Sequence, residues 1–252
     1  MDSLLQWVLV FSLSMGGRLL EVDPLGNLYV VGNNQQLSKL DSTGTLLFTY
    51  PQNRYGTLAQ VDVSNPMKVL LSYPDFAQAV VLDNTLSELG LLALKRSGIN
   101  AFSAMAYSRR DNTIWLFDRE NWNLKKVDFH GTIVLNAPDL LQQTGQTLEP
   151  AVMREHENRI YVADARQGVW VFDAFGLFLE QLPVPPVTDF QIVDEYFIGI
   201  SDAETFVYHL RNGQRKSISL PGNSTNACVR YRAGRWYVLS PDGLWVYQHT
   251  PR

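Results

Sequence analysis

The side chains able to do chemistry in this chain are few and scattered. Four histidines, His130, His156, His209 and His249, lie far apart, and none has a close neighbour at metal-ligand spacing. Cys228 is the single cysteine, which excludes an internal disulfide framework and a thiolate metal cluster. There is no G-x-S-x-G elbow, P-loop, H-E-x-x-H or G-x-G-x-x-G stretch. Acid–base catalysis needs carboxylates that the fold brings together. Glu149, Arg154 and Asp189 are candidates to line a central channel, but they fall short of the six to eight oxygens that calcium prefers. No catalytic residue, metal ligand or cofactor is therefore assigned.

Composition narrows the classes further. The 252 residues are 46 % hydrophobic and 18 % charged, which excludes a disordered chain and a long coiled coil. A formal net charge of −4 argues against a nucleic-acid partner held by phosphate neutralisation. The apolar run Leu4–Met15 is too short for a helix that spans a bilayer, which takes roughly 20 residues. It has the length of a signal-peptide core, with small residues before a cleavage point after Gly16, although Met1-Asp2-Ser3 carries no positive charge. The expectation is a leader over residues 1–16 and a folded domain over 17–252. The alternative is an apolar strand, Trp7 to Leu13, that completes the fold.

A repeat decides the fold. A short apolar run recurs six times, centred on Tyr29, Leu70, Trp115, Tyr161, Ile198 and Tyr237, at a spacing of roughly 37 to 46 residues. About ten residues after each comes a strand ending in a small turn. That turn often reads apolar-Asp-x-x-Gly, as in Leu40–Gly44, Val127–Gly131 and Phe172–Gly176. Asp bonds the backbone two residues on, and Gly takes a positive φ at no steric cost, so each copy is a tight hairpin. With a strand before the first element and another after the turn, each repeat is a WD40-like unit of four antiparallel strands. Six such units predict an all-β, six-bladed β-propeller. The last unit, ending at Arg252, lacks an outer strand. Either the segment before Leu19 supplies it or that blade has three strands.

The loops between second and third strands share one face and begin at Asn33, Asp75, Asp118, Asp164, Asp202 and Asp242. An acidic ring for a cation or a basic partner is one reading; Asp opening its own turn is the plainer one. On the opposite face Arg109, Arg110, Arg211, Arg230, Arg232 and Arg235 are interleaved with acids, which reads as a mixed, solvated surface. Aromatic side chains at loop tips are more informative. Tyr73, Asp75, Phe76 and Trp122 fall in the loops, Tyr55 lies in a connection on the same face, and Leu140 and Leu141 sit in the longest inter-blade connection. These seven are the candidate partner-binding residues.

Three stretches carry a resemblance: Glu21–Tyr29, Val61–Leu71 followed by Tyr73–Phe76, and Leu82–Gly90. They resemble a family of small exported propellers of Bacteroidota cell envelopes, associated as an accessory subunit with the type IX secretion translocon. The resemblance runs from about Leu19 to the end and is strongest in the first two blades. It implies a non-enzymatic interaction scaffold, periplasmic or in the cell envelope after leader removal, with a protein partner in a membrane-associated assembly. It supplies no catalytic residues. The competing readings are a calcium-dependent six-bladed hydrolase or lactonase, and a small-molecule sensor using the central channel.

Overall fold

Strands whose two faces are both apolar must be sandwiched between other layers, and a ring of sheets provides that for every one of them. The computed structural model describes residues 6–51, 54–221 and 227–250, and it is a six-bladed β-propeller of four-stranded antiparallel sheets. Blade 1 comprises β2 (Leu19–Val22), β3 (Leu28–Val31), β4 (Leu37–Leu40) and β5 (Leu46–Tyr50). Blade 2 comprises β6 (Gln60–Asn65), β7 (Lys68–Tyr73), β8 (Gln78–Asp83) and β9 (Glu88–Ala93). Blade 3 has β10 (Phe102–Ser108), β11 (Thr113–Asp118), β12 (Asn123–Val127) and β13 (Ile133–Asn136). Blade 4 has β14 (Pro150–His156), β15 (Arg159–Asp164), β16 (Gly168–Phe172) and β17 (Phe178–Gln181). Blade 5 has β18 (Asp189–Val193), β19 (Tyr196–Ile200), β20 (Thr205–His209) and β21 (Arg215–Ile218).

Blade 6 joins the two ends of the chain. Its inner three strands are β22 (Cys228–Arg232), β23 (Arg235–Ser240) and β24 (Gly243–Thr250), and its outer strand is β1 (Gln6–Leu13). The β1–β24 register runs from Gln6 opposite Thr250 to Leu13 opposite Leu244, with a bulge between Leu9 and Phe11. The fourth strand is thus supplied by the segment before Leu19, and the described ring reaches back to residue 6 rather than starting at 17. Gly16 and Gly17 show how closely that segment is fitted. A Cβ on Gly16 would stand 1.7 Å from the Pro241 carbonyl oxygen, and one on Gly17 would stand 2.7 Å from that of Val31.

The core is divided rather than central. Six clusters of buried apolar residues fill the six interfaces between neighbouring blades. Tyr29 and Leu37 of blade 1 pack with Leu71 and Tyr73 of blade 2, for example, and Trp115 and Phe117 of blade 3 with Val162 and Trp170 of blade 4. The predicted hairpin chemistry is present. Asp41 Oδ1 accepts the backbone N–H groups of Thr43 and Thr45, and Asp83, Asp128 and Asp173 repeat that pair of bonds in blades 2, 3 and 4. In blade 5 His209 Nδ1 takes over the first of these roles by accepting the Arg211 N–H. The connection after blade 3 contains an element absent from the sequence reading, the five-residue helix α1 (Leu140–Thr144), capped by Asp139 accepting the Gln142 N–H. Among the described residues no helix is long and apolar enough to cross a membrane.

Candidate functional site

The innermost strand of every blade faces the axis, so its outer backbone edge has no neighbouring strand and needs other partners. Side chains of adjacent blades provide them. Gln60 Oε1 on β6 accepts the Met105 N–H of blade 3, and Asp62 accepts the Tyr107 N–H. Gln191 on β18 accepts the Tyr231 N–H of blade 6, and Arg154 Nε on β14 donates to the Phe190 carbonyl of blade 5 at 2.6 Å.

On the axis four charges from four blades converge. Glu21 (blade 1) accepts from Arg230 (blade 6) at 2.6 and 2.9 Å, and from Arg154 (blade 4) at 2.7 Å. Asp189 (blade 5) pairs with Arg230 at 2.6 Å and with Arg154 at 3.5 Å. Two acids therefore meet two arginines across the channel. Burial pushes the Glu21 carboxyl up, but the charges of Arg154 and Arg230 outweigh it and hold the pKa below the ordinary value. Burial pulls the Arg230 guanidinium down, and the charges of Asp189 and Glu21 reverse this, so it stays protonated. Asp189 and Arg154 occupy the channel as their positions predict. Glu149 does not: it is exposed on the connecting loop and pairs with Arg166 at 2.8 Å. Arg230, assigned from sequence to the solvated face opposite the loops, lies fully buried on the axis.

Above this network the channel opens into a cavity of about 700 Å³ on the face that carries the second-to-third-strand loops. No histidine lines it, and Cys228, which does, keeps a thiol pushed up to about 11 by burial while its Sγ–H donates to the Arg18 carbonyl. Among the described residues no three His, Cys, Asp or Glu side chains gather to hold a metal ion. Two of the acidic positions of that face, Asp118 and Asp164, serve their own turns. Asp118 is buried and accepts from Glu120 N–H, Asn121 N–H and Lys125; Asp164 accepts from Arg166 and Gln167 N–H and from the Glu149 N–H of the neighbouring connection.

The seven candidate binding residues separate into two groups. Tyr73 and Leu140 are fully buried in the inter-blade clusters, Tyr73 as the last residue of β7 and Leu140 as the buried first residue of α1. Their expected exposure is thereby corrected. Trp122 is half-buried, its ring edge-on to Phe117 at 6.0 Å, and borders a smaller hollow of about 370 Å³. Tyr55 is half-buried, 5.6 Å from the Tyr73 ring. Phe76 and Leu141 remain outside, 52 % and 45 % exposed. Asp75 is exposed and accepts the Thr57 N–H, which ties the loop after β7 to the connection before β6.

No known family model matches this chain, and neither does any curated protein. Solved structures do match. The WD40 domain of Neurospora crassa Pan2 superposes with a TM-score of 0.69 at 10 % identity, covering 100 % of this chain and 97 % of that one. A catalytically inactive virginiamycin B lyase of Staphylococcus aureus with quinupristin gives 0.66 at 9 %, covering 97 % and 98 %. The computationally designed protein Ika8 gives 0.55 at 15 %, covering 92 % and 70 %. At these identities the likeness is one of fold: this chain shares the propeller architecture of both a WD40 domain and a lyase.

Proposed function

We propose that this chain is a non-enzymatic propeller that recognises a protein partner on its loop-bearing face. One observation carries the reading: Phe76 is an exposed aromatic side chain packed on one side against a neighbouring connection. Its ring lies against Gly56, where an added Cβ would come within 2.9 Å of Phe76 Cε2, and Asp75 beside it is bonded to Thr57. A pre-positioned ring loses little freedom on binding, which is the character of an interface anchor. The axial carboxylates support the non-enzymatic part, because each is already taken up by arginine. The resemblance of the first two blades to exported propellers of Bacteroidota supports a finer proposal. On that reading the partner belongs to a membrane-associated envelope assembly such as the type IX translocon, and the protein acts in the periplasm.

The test is recovery of a partner from membranes at native expression with wild type and with Phe76→Ala/Leu141→Ala. Both side chains are exposed, so the ring should fold normally. Loss of an anchor costs about 2 kcal/mol or more, close to thirtyfold in affinity. A partner retained equally by the double variant would remove this face as the interface. Hydrolysis of lactones or esters by the purified protein would refute the non-enzymatic reading.

A further inference from the structure

The wall of the 700 Å³ cavity contains a cation that no acid among the described residues pairs with. Arg18 lies just before β2, and its Nη2 donates to Gln35 Oε1 at 2.5 Å and to the Leu58 carbonyl, both neutral acceptors. Its Nε is buried without a hydrogen-bond partner, and among the described residues Arg18 enters no ion pair. Burial pulls the guanidinium pKa down, which marks a charge taken out of water with little in return.

The other charges of the cavity are accounted for. Glu21 and Asp189 balance Arg154 and Arg230, and Glu204 is held by Arg215 and by the Ser217 hydroxyl. Asp202 stands out in solvent on the rim, where water screens it. Across the channel Arg154 uses Nε and Nη2 on protein acceptors, and no described residue accepts from its Nη1. Spare capacity in this cavity is thus of the donor kind, beside the apolar side chains Val61, Val152, Ile200, Ile218 and Leu220. We propose that Arg18 anchors a binding site for a carboxylate carried on a small apolar body, in the mouth of the axial channel. A volume of this size suits a small ligand. Nε is enclosed, so the donor Arg18 can offer a ligand is Nη1, from which no described residue accepts, and a guanidinium N–H of this kind suits a carboxylate. The carboxylate could come from a free acid or from the C-terminus of a polypeptide. The proposal is independent of the Phe76 interface, and its test leaves that interface intact.

The experiment titrates the full chain with 4-methylpentanoate, with N-acetyl-Ala-Leu as the free acid, and with the amide of the same dipeptide. Nitrogen–proton NMR of the arginine Nε–H groups reports on Arg18 directly. Both acids should move the Arg18 signal and the amide should not. Tighter binding of the dipeptide acid assigns the site to a polypeptide terminus; tighter binding of 4-methylpentanoate assigns it to free acids. Arg18→Gln should weaken acid binding by more than about tenfold, as expected for a charge-assisted hydrogen bond. Arg18→Lys, which keeps the charge and loses the fork, should fall between the two. If Arg18→Gln does not fold, the wild-type Arg18 signal alone decides. Equal response to acid and amide, no movement of the Arg18 signal at ~10 mM acid, or undiminished binding by a folded Arg18→Gln would overturn the proposal.

Discussion

Glu21→Gln removes one negative charge from the axis while keeping the length of the side chain. In the native ring the Glu21 oxygens accept three N–H groups from two arginines, at 2.6, 2.7 and 2.9 Å, in a site only 7 % exposed. Glutamine offers one acceptor oxygen and presents an amide NH₂ toward a second donor. Arg154 and Arg230 would then share Asp189 as their only acid, leaving a buried positive charge uncompensated. Removing one partner of a buried ion pair costs about 3–5 kcal/mol. For a ring of this size that lowers the thermal midpoint by roughly 6–20 °C. Equilibrium urea unfolding monitored by tryptophan fluorescence measures the loss, and the double variant Glu21→Gln/Arg230→Gln provides the control. With both charges gone, Arg154 and Asp189 balance, so the double variant should recover a large part of the stability.

The pH dependence has a definite sign. The folded-state pKa of Glu21 lies below the ordinary value of 4.5, so its contribution is complete above that value and is lost as pH falls through the folded pKa. The gap between wild type and Glu21→Gln should therefore be full at neutral pH and narrow in acid below about 4.5. A Glu21→Gln protein within about 1 kcal/mol of wild type at pH 7 would refute the claim that these four charges tie the blades together across the axis.

The remaining predictions concern other parts of the ring. Asp118→Ala should cost about 3–5 kcal/mol in urea unfolding, because it strands the buried Lys125 and frees two backbone N–H groups of the turn. Cys228, its thiol pushed up to about 11, should react with iodoacetamide far more slowly at pH 8 in the folded protein than in denaturant, with mass spectrometry as the readout. Deleting residues 1–13 should uncover the β24 edge and produce oligomers on size-exclusion chromatography, whereas the intact chain should elute without them.

Most of the ring was legible because its signals are local. A strand of the kind Thr113–Asp118, apolar on both faces, and a turn of the kind Asp-x-x-Gly announce themselves within a few residues, and six copies fix the architecture. What escaped depends on residues far apart in the chain. Glu21 and Arg230 are separated by 209 positions, so nothing near either identifies the other as its partner. The arginine instead looked like one more charge on a wet face. Tyr73 and Phe76 are three residues apart, yet one is core and the other exposed. That difference arises because β7 ends at Tyr73 and Pro74–Phe76 form a 3-10 turn outside the sheet, a boundary that composition does not reveal. The segment Leu4–Met15 illustrates the same limit. An apolar run suits a leader or a strand equally, and the pairing that makes Gln6–Leu13 a strand lies in β24, at the far end of the sequence.

That last pairing sets a timetable for biosynthesis. β1 leaves the ribosome five whole blades ahead of β24, the strand it must join. At about 5–20 residues per second the wait is on the order of ten to fifty seconds. Throughout that interval Gln6–Leu13, which contains no charged residue, has to be kept from sticking elsewhere. Once fastened, the two strands act as a clasp, and because Gln6 lies opposite Thr250, pulling there would peel β1 from β24 pair by pair from that end toward Leu13 and Leu244.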